Sequence, residues 1–143
     1  EPMIMPYIDA YTQHVIFADV QGNVALFDLK KGDEKPQRFT VDFSPRFIRT
    51  GWLESTWILA GDKGIMFQSF DDPSDRRIDR FRPEIMSVWV TGDSKTALYS
   101  LDEWAPQIFR YDIRTRRKLK PIRVRGVTMP AMLRMGSNNS ICY

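Results

Sequence analysis

Val24-Ala25-Leu26-Phe27-Asp28-Leu29 is a short apolar run that closes on aromatic-Asp-aliphatic. Ile65-Met66-Phe67-Gln68-Ser69-Phe70 starts 41 residues later, and Ile108-Phe109-Arg110-Tyr111-Asp112-Ile113 starts 43 residues beyond that. Ahead of each run stands an apolar segment ending in an acid: His14-Val15-Ile16-Phe17-Ala18-Asp19, Trp57-Ile58-Leu59-Ala60-Gly61-Asp62 and Ala97-Leu98-Tyr99-Ser100-Leu101-Asp102. A fourth begins at Ser140-Ile141-Cys142-Tyr143. The members of each pair are separated by Val20-Gln21-Gly22-Asn23, by Lys63-Gly64, and by a longer loop through Trp104 and Pro106. A polar link and another alternating segment follow, clearest at Arg38-Phe39-Thr40-Val41-Asp42-Phe43 and weaker around 78–81 and 122–124. Prolines at 6, 45, 83 and 130 open the successive units, ahead of expected strands at 47–53, 85–90 and 131–135.

Each unit therefore reads as four short strands with a period near 40. That combination points to an all-β chain built as propeller blades. The units run over 6–44, 45–82 and 83–129, with a partial one at 130–143, in a single segment covering 1–143. An all-β sandwich with evenly spaced hairpins is the alternative. Ile78, Phe81 and Ile85 have helix-like spacing, but Pro83 interrupts them and excludes a helix over 75–90.

The stretch from Asp19 to Gly32 resembles the end of a WD repeat: a tight glycine turn, an apolar strand, Phe27-Asp28-Leu29, then a basic turn closed by glycine. Residues 107–114 are a looser match, and the unit ending Gln68-Ser69-Phe70 is degenerate. No Gly-His dipeptide is present, and Phe27 or Tyr111 stands where the family has tryptophan. Rings of this family close with roughly six to eight blades, so the resemblance implies an incomplete β-propeller, about half of a larger ring. The parent chain, a second copy or another protein would complete it, because an open stack leaves an apolar blade face uncovered. The implied function is a non-catalytic protein–protein interaction scaffold within a larger chain or complex. By the same resemblance, the loops at 21–23, 44–46, 63–64, 82–84, 102–107 and 125–130 share one face of the propeller. Those at 30–37, 71–77 and 114–120 share the other.

Composition removes much chemistry. The chain of 143 residues is 43% hydrophobic and 27% charged, the balance of an ordinary globular domain. Its single cysteine, Cys142, excludes an internal disulfide and multi-cysteine zinc sites, and favours an intracellular setting, cytoplasmic or nuclear. His14 is the only histidine, which excludes paired-histidine metal motifs, and the glycines form no phosphate loop. No cofactor, metal site or catalytic residue is expected. No signal-peptide pattern is visible, and no uncharged run exceeds nine residues, so no membrane-inserted helix is expected. The chain starts at Glu1, as a processed or excised one would.

Two segments are candidate binding sites. Glu103, Trp104 and Pro106 lie in the longest of the equivalent turns, where a rigidly held tryptophan can anchor a partner peptide or fold back over a blade edge. Arg114, Arg116, Arg117, Lys118, Lys120, Arg123 and Arg125 place seven cations in twelve residues. Residues 1–72 carry a net −4 and residues 73–143 a net +7, so this segment crowns an uneven charge distribution. It suits an anionic partner, nucleic acid or a phosphorylated protein, or else is a solvated edge hairpin. Interleaved aromatics that would stack bases are missing from it. Asp19, Asp62 and Asp102 recur at equivalent positions. They would cap turns, or in a propeller hydrolase fragment would converge on a metal.

Overall fold

Twelve strands pair into three antiparallel meanders in the computed structural model, which describes residues 4–32, 35–102, 107–123, 134–135 and 141–142. Blade 1 contains β1 (Ile4–Asp9), β2 (His14–Asp19), β3 (Asn23–Asp28) and β4 (Gln37–Thr40). Blade 2 contains β5 (Pro45–Gly51), β6 (Thr56–Gly61), β7 (Gly64–Ser69) and β8 (Arg76–Arg80). Blade 3 contains β9 (Ile85–Val90), β10 (Thr96–Leu101), β11 (Gln107–Asp112) and β12 (Arg117–Arg123). A short pair follows, β13 (Arg134–Met135) with β14 (Ile141–Cys142). In every blade the strands are hydrogen-bonded in chain order.

Blade 2 is buried on both faces. Along β6 and β7 the side chains alternate between two separate cores, as the twofold strand period requires. Trp57, Leu59 and Met66 join Ile16, Ala18, Val24 and Leu26 of blade 1. Ile58, Ala60, Ile65 and Phe67 join Ala97, Tyr99 and Tyr111 of blade 3. The register enforces this division, pairing Leu59 with Met66 and Ile58 with Phe67. A two-sheet sandwich buries one face of each sheet, so three stacked sheets exclude it. Blade 1 keeps the half-buried alternation of an end blade: Ile16 and Ala18 point into the core, while Val15 and Phe17 on the other face are only half-buried.

The same backbone ties recur although the side chains differ. The amides of Leu29, Phe70 and Ile113, each following the third strand, donate to the carbonyls of Gln13, Ser55 and Lys95 in the first turn. Asp28 accepts from the Lys30 amide, Ser69 from those of Asp71 and Asp72, and Asp112 from that of Thr115. Ser69 thus caps the middle blade as the aspartates cap their neighbours, and the sequence degeneracy there is compensated locally. Gly22, at φ +89°, accepts a hydrogen bond from Val41 N–H through its carbonyl, and a Cβ there would run into the Val41 carbonyl.

Some element boundaries differ from expectation. β1 starts before Pro6, which sits inside it, and β5 starts on Pro45. Both positions suit proline, one on an outer strand of its sheet and the other at a strand start. β12 begins at Arg117, well ahead of the segment expected at 122–124, because its backbone pairs with β11 while its charged side chains reach solvent.

Candidate functional site

The basic segment forms the outer edge of blade 3, with Arg114 and Arg116 in the β11–β12 turn and Arg117, Lys118, Lys120 and Arg123 on β12. The structure divides these cations into two groups. Arg116 pairs with Asp75, and Lys118 Nζ lies 3.8 Å from Asp79 Oδ2, so both reach across to blade 2. Arg77 of β8 answers from the other side. Its guanidinium donates to the Arg116 carbonyl at 2.7 Å, lies 3.4 Å from Asp79 and approaches the Tyr111 ring at 5.7 Å. The Tyr111 hydroxyl donates to the same carbonyl at 2.9 Å, and burial pushes its pKa up to about 12. This clasp seals the blade 2–blade 3 junction over the stack of Phe67 on Tyr111, centroids 3.8 Å apart.

Arg114, Arg117, Lys120 and Arg123 remain exposed, and among the described residues no carboxylate pairs with them. Along the edge, Pro121 interrupts the donors, the register shifts between Ile108 and Arg110, and Arg110 Nε donates to the Lys120 carbonyl. Those features prevent another strand from adding to β12 while leaving its cations available. Trp104, Glu103, Pro106 and Arg125 lie outside the described residues.

Two of the recurrent aspartates, Asp19 and Asp62, act on separate backbone segments. Asp19 accepts from the amides of Gln21 and Asn23, and the Asn23 side chain is the largest influence holding its carboxyl below the usual range. Asp62 accepts from Ser44 N–H at 2.8 Å, locking the link between blades 1 and 2. Among the described residues no group of three His, Cys, Asp or Glu side chains could hold a metal ion.

One feature escaped the sequence reading. His14 is buried and stacks on Phe70 of blade 2, centroids 4.2 Å apart. Its Nε2 is 4.0 Å from Asp28 Oδ2, and burial lowers its pKa despite that neighbouring carboxylate. The two residues border an interblade cleft of about 230 Å³. A sequence signal existed, since the only histidine and Asp28 bracket one predicted hairpin. Phe70, which completes the site, comes from the next unit.

Among solved structures the chain is similar to the C-terminal WD40 domain of Sif2, with a TM-score of 0.74 and 11% identity over 95% of this chain and 41% of that one. It is also similar to the hydrazine synthase of Kuenenia stuttgartiensis, with a TM-score of 0.70 and 10% identity over 90% of this chain and 38% of that one. The chain spans about two fifths of the length of each. No protein-family model matches the sequence. No curated protein matches it either. The blades and these likenesses define the fold as an incomplete WD-repeat-like β-propeller. Among the described residues no helix is long and apolar enough to cross a membrane.

Proposed function

We propose that this chain is a non-catalytic protein-interaction scaffold, part of a larger propeller, that docks an acidic partner segment along the outer edge of blade 3. The observation that carries the reading is the division of the basic segment. Arg116 and Lys118 are used in the clasp to blade 2, while Arg114, Arg117, Lys120 and Arg123 stay exposed on a rigid strand and turn. Unpaired cations of one sign favour and steer an anionic partner. The WD40 likeness supports a scaffold in general terms, and an intracellular setting fits the lone Cys142. The Trp104 loop would supply a second, aromatic anchor.

Nucleic acid is the second reading, favoured by the planar guanidinium forks of Arg114, Arg117 and Arg123, which match phosphate oxygens. Fluorescence anisotropy with a labelled glutamate-rich peptide and a labelled DNA duplex separates the two. The scaffold reading expects peptide binding that drops about tenfold when Arg117 and Lys120 are both changed to glutamate. Tighter binding of the duplex, with affinity falling steeply with salt, transfers the site to nucleic acid. Binding of neither probe overturns both readings.

A further inference from the structure

We propose that the cleft between blades 1 and 2 is a second binding site, one that seats a single tyrosine or tryptophan side chain of an extended partner segment. At about 230 Å³ it is smaller than the pockets that enclose drug-sized ligands, so it matches one large side chain and excludes a nucleotide. One wall is aromatic: His14 stacks on Phe70, and Phe70 in turn stacks on Trp57. An inserted ring would extend this array.

The polar rim selects the ring's edge. Asp28 Oδ1 is occupied by the Lys30 amide at 3.0 Å. Its Oδ2 is 3.8 Å from Lys31 Nζ and 4.0 Å from His14 Nε2, both beyond hydrogen-bond distance. That oxygen is partly exposed and held only at ion-pair distance by these two groups, so a phenol O–H or an indole N–H can donate to it. An arginine could also stack and donate, but Lys31 and Lys35 line the cleft and repel it. Exposed Tyr11 and Leu29, in the turns leading into His14 and out of Asp28, offer apolar support to the flanking residues of the partner.

His14 is the sole histidine, so its imidazole proton resonances report on this cleft without ambiguity. The 143-residue chain is titrated with N-acetyl-tyrosinamide, N-acetyl-tryptophanamide, N-acetyl-phenylalaninamide and N-acetyl-argininamide. The tyrosine and tryptophan probes should shift the imidazole resonances saturably, with the phenylalanine probe about tenfold weaker for want of a donor to the carboxylate. Asp28→Asn should bring the tyrosine probe close to the phenylalanine probe, and Pro73→Trp, filling the cleft mouth, should abolish both shifts. Preferential binding of the arginine probe, linear unsaturable shifts, or an unchanged order of affinities in Asp28→Asn would overturn the proposal. The basic edge of blade 3 does not enter this readout, so the two sites stand or fall separately.

Discussion

Arg77 and Arg116, two like-charged residues on different blades, are joined through a main-chain carbonyl rather than held apart. The contact is tolerated because each guanidinium has its own acid, Asp79 for Arg77 and Asp75 for Arg116. The Arg116 backbone has a positive φ of 56°, in the turn that presents its carbonyl to both Arg77 and Tyr111. The blade 2–blade 3 seam therefore carries a polar clasp outside its aromatic stack.

Arg77→Leu should destabilise the chain by about 1–2 kcal/mol, since it removes charge-assisted bonds that are partly open to solvent. It also leaves Asp79, which is mostly buried, with Lys118 as its one ion-pair partner among the described residues. Adding Asp79→Leu should recover part of that loss, giving a coupling of about 0.5–2 kcal/mol in a double-mutant cycle by urea denaturation. Strict additivity would show that the clasp is not a coupled unit.

Neighbouring positions on β6 should be equally costly to truncate. Ile58 and Leu59 are both fully buried, one facing blade 3 and the other blade 1. Ile58→Ala and Leu59→Ala should each cost about 2–5 kcal/mol. In a sheet with one solvent face, one of the pair would be nearly neutral.

Gly22→Ala should cost about 2–4 kcal/mol, combining an unfavourable positive φ with displacement of the Val41 carbonyl and loss of a backbone bond. The urea midpoint should fall with little change in the slope of the transition. A neutral substitution would mean that the link after β4 can move away from the turn.

His14 sets a pH dependence of definite sign. Burial, the largest influence, lowers its folded-state pKa below the ordinary 6.5, with Lys30 acting the same way and Asp28 and Asp9 opposing. Between the lowered value and 6.5 the unfolded chain binds the proton and the folded chain does not, so stability is lost as pH falls through that window. Above 6.5 the residue contributes no slope. His14→Phe, which keeps a ring against Phe70, should flatten the decline in thermal midpoint between about pH 7 and 5. An identical decline in both proteins would assign the slope to other groups.

The repeat of apolar runs located the second and third strands of all three blades, because alternation and turn chemistry are written in contiguous residues. Ser69 shows where that reading thins: the aspartate signature is missing, yet a hydroxyl of similar reach performs the same cap. β12 shows the opposite case. A run as charged as Arg117–Arg123 lacks an apolar stripe, and its strand identity comes from pairing with β11 and from an edge that tolerates lysine and arginine.

Local periodicity thus specified an all-β chain, its period and its blade-like units, because each depends only on residues close together along the chain. The tertiary structure alone decided which cations are consumed and which stay free. It alone brought Phe70 to His14, and Arg77 to Arg116, 39 residues away. Those relationships depend on how one sheet is staggered against the next, and that stagger is set by the interlocking of two buried cores rather than by any contiguous motif.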